Sequence, residues 1–204
     1  KELRAKEFRN TVELVNNGFY FTEESDKVTF SNVDKMIAGT CFYSDEFHVN
    51  YIPANPETTV VEVVNADCMY EGIRLLHSGY NPAILNMASR QNPGGGVLTG
   101  AGAQEETIFR RTNIFRSLYQ FAPYAGQYGV RKSSHQYPLN RNFGGIYTPN
   151  VNIFREDEKN GYRLIAHPQE IAFISVAGMN RPTLTDDGLI VDSLVEPIKN
   201  KIRT

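Results

Sequence analysis

Asn92-Pro93-Gly94-Gly95-Gly96, followed after seven residues by Gln104-Glu105-Glu106, decides the reading of this chain. Three consecutive glycines lose more backbone entropy on folding than other tripeptides and pack no side chain. They are kept where φ is positive or where something must approach the backbone closely. A phosphate or sugar on the backbone N–H groups is one reason for such a loop, and a tight turn is the other. From Gln104 the pattern turns helical, with Ile108, Phe115, Leu118 and Ala122 on one apolar face and the acids in the first turn. The helix dipole alone favours acids there, and it lowers their pKa. A general acid near neutral pH needs the opposite, a rise that burial, a neighbouring glutamate or a bound diphosphate would supply. Glu105 lies three residues before Ile108 and Glu106 three before Phe109, so both are expected at a partly buried edge facing the glycine loop.

Working outward, Ala83–Met87 is a short apolar run expected as a buried parallel strand, and it feeds directly into the glycine loop. Ligands of open α/β sheets sit beyond the carboxyl ends of such strands, against helix N-termini. Lys1–Asn17 reads as an amphipathic helix ended by Asn16-Asn17-Gly18, with Leu3, Phe8, Val12 and Val15 apolar. Lys27–Phe30, Gly39–Tyr43 and the β-branched run Thr58–Val64 read as strands, and Ala66–His77 as a helix closing at Ser78-Gly79. Phe121–Asn142, tyrosine-rich and without period, reads as a long surface loop of the lid or binding type. Strands are expected at Gly145–Tyr147, Val151–Phe154, Arg163–Ile165 and Ile171–Val176, with a solvated turn at Glu156–Gly161. Leu194, Val195, Ile198 and Ile202 form a last helical face.

At 204 residues the chain is one domain's worth, able to bury roughly 70% of its unfolded surface. A net charge of −2 argues against general nucleic-acid binding through phosphate neutralisation, so any nucleotide must be bound locally. Cys41 and Cys68 lie in apolar runs without metal-ligand spacing and read as reduced core residues. His48, His77, His135 and His167 are scattered and read as structural or surface residues. No run is long and apolar enough to span a bilayer, and the expected location is cytoplasmic.

The glycine triplet and Gln-Glu-Glu at this spacing resemble the motif of poly(ADP-ribose) glycohydrolases. The flanks Leu85–Pro93 and Thr107–Asn113 resemble the microbial-type branch. The resemblance extends to Thr59–Asn65, Ile146–Val151, Phe154-Arg155 and Ser175–Asn180, and so covers most of the chain. It implies an α/β fold, a macrodomain-like three-layer α/β/α sandwich with a mixed sheet, formed by one domain over residues 1–204. It implies hydrolysis of the ribose–ribose O-glycosidic bond of poly(ADP-ribose), with ADP-ribose or its polymer as ligand, ADP-ribosylated protein as a further partner, and neither metal nor cofactor. By the same resemblance Glu106 is the general acid and base, and Glu105 positions ribose hydroxyls. Gly94, Gly95 and Gly96 line the diphosphate and ribose, Gln104 orders the loop, and Asn86, Asn92 and Asn180 are further ribose or ligand contacts. Adjacent glutamates do not flank a glycosidic bond as separate acid and base, which agrees with one catalytic acid and one binding partner. In that family a further strand and a second glycine-rich loop follow the last helix. Neither is present, so a chain lacking its C-terminal part is expected. A non-catalytic ADP-ribose reader, and a hydrolase using the two glutamates as metal ligands, are the alternatives.

Overall fold

The computed structural model describes residues 1–44 and 59–203. Two regions of the sequence reading, His48 and Thr58, fall outside them. Helix α1 (Glu2–Asn17) ends on Gly18, whose left-handed φ of 81° lets its N–H cap the last carbonyls. Phe8 and Val15 are buried on its inner face, whereas Leu3 is exposed. Strands β1 (Phe19–Phe21) and β2 (Lys27–Thr29) form a small antiparallel ribbon. A short helix, α2 (Val33–Ala38), which the sequence reading did not foresee, leads to β3 (Cys41–Tyr43).

Helix α3 (Cys68–His77) starts at Asp67, whose carboxylate accepts the N–H groups of Met69 and Tyr70. Then come β4 (Ala83–Met87), α4 (Gln104–Arg111) and α5 (Phe115–Leu118). Strands β5 (Gly145–Arg155) and β6 (Leu164–Val176) and helix α6 (Asp192–Arg203) complete the order. The main sheet runs β3-β5-β6-β4, antiparallel except for the parallel pair β4 and β6, so it is mixed as expected.

Strand register explains which face is core. Ile84, Phe173 and Thr148 stand side by side across β4, β6 and β5, and all are buried. Gly72 brings the backbone of α3 onto this face, since a Cβ there would lie 2.7 Å from Ile84. On the other face, Leu85, Ile174 and Tyr147 form a partly exposed apolar row. Strand β4 is therefore buried on one face only, not on both. The densest packing lies behind α4, where Phe8, Phe109, Phe115 and Tyr119 meet ring to ring at centroid separations of 5.7–6.4 Å.

Five expectations are corrected. The Val60–Val64 run forms no strand: Val60, Val61 and Val63 are more than four-fifths exposed. A strand needs a partner's backbone, and the free edge of β4 is already occupied, because the Gln104 amide donates to Leu85 O at 2.9 Å and accepts from Met87 N at 2.8 Å. The long helix from Gln104 breaks at Thr112–Ile114, where Asn113 pairs with Asn152 of β5 through N–H···O contacts of 2.9 and 3.3 Å. Residues 121–142 are no simple surface loop. Phe121, Ala125, Val130 and Leu139 are buried, and Tyr119 packs on Tyr124 and Tyr128. Cys41 is exposed rather than core, and both Cys41 and Cys68 are free thiols. The expected breaks inside β5 and β6 are bulges, at Thr148/Val151 and Ile153/Arg155, that shift register without ending the strands.

Candidate active site

The carboxyl end of β4 opens into the segment 88–96, which turns back so that its backbone meets the first turn of α4. Each carboxylate of the glutamate pair is held there by main-chain N–H groups. Glu105 accepts from Ser89 N at 2.7 Å through Oε2 and from Gly94 N at 3.0 Å through Oε1. Glu106 accepts from Gly96 N at 2.9 Å through Oε1, and its Oε2 is buried without a hydrogen-bond partner among the described residues. Gly95 N donates to Asn92 O at 3.1 Å, closing the turn. All three glycine N–H groups are thus committed inside the protein. The loop holds the acids; it does not offer its N–H groups to a phosphate as the sequence suggested.

The glycines are required by space as much as by torsion. Gly95 has a φ of 52°, and a Cβ on it would lie 2.6 Å from Glu106 Oε1 and 3.1 Å from Glu105 Oε2. A Cβ on Gly94 would meet the buried Phe109 ring at 2.7 Å. Behind the loop, Arg110 is fully buried and donates to Ala101 O at 2.8 Å and to the Tyr162 hydroxyl at 3.0 Å, tying the descending limb to β6's flank. Its neighbour Arg111 donates to Asp67 at 2.9 Å and to Arg155 O at 3.1 Å.

Both glutamates are more than nine-tenths buried, deeper than the helix edge the sequence predicted. Burial pushes the Glu105 carboxyl up to about 7; the Ser89 and Gly94 N–H groups pull it down, and the Glu106 charge adds to the rise. Desolvation outweighs the dipole here because the first turn is covered by the glycine loop rather than by water.

Glu105 and Glu106 line a cavity of about 810 Å³ with Gly95, Gly96, Ser89, Asn180 and other residues of the 87–91 and 178–183 segments. Asn180, in the segment that follows the carboxyl end of β6, thus shares this cavity with the acids. Gly94 lies buried under the loop, Asn92 serves its turn, and Gln104 serves the β4 edge; none of these three borders the cavity. Asn86 is buried beside Glu105, donating to Ser175 Oγ at 3.0 Å, and also lies outside the cavity lining. Three arginines, Arg90, Arg141 and Arg181, line the cavity and were not singled out from sequence. They sit in three separate irregular segments, so no spacing signals their meeting. His77 contacts Gln169 and His135 stacks on Phe42; neither borders the cavity.

Residues 8–156 match the family described as microbial-type PARG, catalytic domain, where PARG is poly(ADP-ribose) glycohydrolase. The chain belongs to the microbial-type PARG family. Among solved structures, PARG from Thermomonospora curvata is 25% identical over 99% of this chain and 73% of its own, with a TM-score of 0.76. The same enzyme bound to the inhibitor ADP-HPD is 27% identical over 99% of this chain and 72% of its own, with a TM-score of 0.72. PARG from Deinococcus radiodurans in complex with ADP-ribose is 27% identical over 74% of this chain and 59% of its own, with a TM-score of 0.52. No curated protein sequence matches. The macrodomain-like α/β fold of these PARGs is the fold of this chain. Among the described residues no helix is long and apolar enough to cross a membrane.

Proposed function

We propose that this PARG-family chain hydrolyses the ribose–ribose O-glycosidic bond of poly(ADP-ribose), with Glu106 as the group that moves the proton. The observation that carries the role of Glu106 is the unequal occupation of the pair. Three of the four carboxyl oxygens accept main-chain N–H groups, and Glu106 Oε2 alone has no partner. Glu106 lines the cavity, and its buried Oε2 is the carboxyl oxygen whose hydrogen-bonding capacity is left for a leaving ribose oxygen. In the reaction, the protonated Glu106 gives its proton to that oxygen as the anomeric C–O bond breaks. The sugar passes through an oxocarbenium-like state, and the Glu106 carboxylate takes a proton from a water whose oxygen bonds to the anomeric carbon. Glu105, whose carboxyl burial pushes up to about 7, holds the loop through the Ser89 and Gly94 N–H groups. Asn180 borders the same cavity and is read as a ligand contact.

The two free cysteines accord with a cytoplasmic setting, and ADP-ribosylated protein is retained as a further partner. A metal-ligand role for the glutamates is disfavoured because both oxygens of Glu105 already accept N–H donors.

Release of ADP-ribose from poly(ADP-ribose), measured for the protein and for Glu106→Gln, tests the reading. Expected is a loss of turnover of roughly 10²- to 10⁴-fold with ADP-ribose binding retained, and no effect of EDTA on the wild type. Binding without turnover in the wild type would establish a reader instead.

A further inference from the structure

The Glu106 carboxylate is held by Gly96, and what holds Gly96 returns to the same helix. Gly96 opens a tight turn, 96–101, closed by Ala101 N donating to Gly96 O at 3.1 Å and by Thr99 Oγ1 donating to the same oxygen at 2.9 Å. Its ends are pressed together, since a Cβ on Gly96 would lie 2.9 Å from that of Ala101. One end is fixed by Gly96 N on Glu106 Oε1 at 2.9 Å, and the other by Ala101 O, which accepts from Arg110 Nη1 at 2.8 Å. Glu106 and Arg110 stand four residues apart on α4, about one helical turn, so both ends of the turn are stapled to one face of one helix.

Two features separate Arg110 from a packing residue. It is fully buried, and its fork donates to three uncharged oxygens: Ala101 O, the Tyr162 hydroxyl at 3.0 Å and Thr107 Oγ1 at 3.2 Å. The neighbouring buried guanidinium groups of Arg111 and Arg155 each carry a carboxylate, Asp67 and Glu7. A cation buried on neutral acceptors is costly, and an apolar side chain would fill the space without that cost. No apolar side chain could grip Ala101. The grip also has a fixed anchor, because Tyr162 is 2% exposed and its own carbonyl accepts from Arg155 Nη1 at 2.9 Å.

We propose that Arg110, anchored by Tyr162, is a positioning residue for the proton-transfer step: by holding Ala101 it fixes the turn that occupies Glu106 Oε1, and so leaves Oε2 as the oxygen that serves the substrate. The role in catalysis rests on the reading of Glu106 as the acid; the tether does not. Arg110 does not border the cavity, so its influence falls on kcat rather than on binding. A misplacement of about 1 Å in a reacting group lowers turnover by about 100-fold.

Three quantities test it in the wild type, Arg110→Lys and Tyr162→Phe: exchange of the Gly96 amide followed by NMR, ADP-ribose affinity by calorimetry, and kcat and KM on the polymer. Lysine keeps the charge but not the planar fork, and phenylalanine keeps the ring while removing only the hydroxyl that accepts from Arg110 Nε. Arg110→Lys should lower kcat by about 100-fold and Tyr162→Phe by roughly tenfold, with KM and ADP-ribose affinity within about twofold and Gly96 exchange about tenfold faster in both. Asp67→Ala, which breaks the adjacent buried Arg111 pair, should lower Tm with neither of the other changes. Should Arg110→Lys fail to fold, Tyr162→Phe carries the same test. A wild-type kcat in the folded variants, or a fall in kcat with Gly96 as protected as before, would overturn the positioning role and leave the glycohydrolase reading intact. Faster Gly96 exchange in the variants of a protein that turns over no polymer would uphold the tether and sink that reading.

Discussion

Glu105 should make this protein less stable as the pH rises through neutrality, against the usual behaviour of a carboxylate. Its folded pKa of about 7 lies above the model-compound value of 4.5, so between those pH values the folded state binds the proton more tightly than the unfolded chain does. For a raised carboxyl the contribution to stability is full below pH 4.5 and is lost as pH climbs through 7. The difference of 2.5 units corresponds to about 3 kcal/mol, or a shift in Tm on the order of 10 °C for a chain of this size. Other groups titrate too, so the measurement is a difference. Urea unfolding of the wild type and of Glu105→Gln is followed from pH 4.5 to 7.5, and the wild type should lose about 3 kcal/mol relative to the variant across that range. The variant should also be weaker at pH 4.5, because a Gln amide nitrogen would face the Ser89 or Gly94 N–H. Parallel pH curves for the two proteins would refute the buried, proton-holding state of Glu105.

Gly95→Ala forces a side chain into left-handed backbone at about 1–2 kcal/mol and drives a methyl into both carboxylates, with 2.6 Å to Glu106 Oε1. Turnover should drop about 100-fold while Tm falls by roughly 5 °C, and a wild-type kcat would count against the loop's hold on Glu106. Asp67→Ala removes the cap of α3 and the partner of the fully buried Arg111, so chemical denaturation should show a loss of roughly 3 kcal/mol with turnover per folded molecule little changed. A loss below 1 kcal/mol would mean that the Arg155 carbonyl alone satisfies Arg111.

The sequence by itself determined the elements whose signal is local. The period of Phe8 and Val15 marks α1, Gly18 stops it, and the alternation of Ile171, Phe173 and Ser175 marks the inner face of β6. Spacing between the glycine triplet and Gln104-Glu105-Glu106 identified the family, because the same loop must always return to the same helical turn. Where a signal depends on a partner, the sequence misled. Val60–Val64 has strand composition, but the edge of β4 is taken by the Gln104 amide, and the residues after Phe121 lack period yet are buried at Ala125, Val130 and Leu139. Tertiary structure alone decided that the glycine N–H groups serve the glutamates, that burial rather than the helix dipole sets the proton affinity of Glu105, and that three arginines distant in sequence border one cavity. The physical reason is common to all three. Desolvation and hydrogen-bond occupancy are properties of what surrounds an atom, and the chain's order fixes only its nearest neighbours.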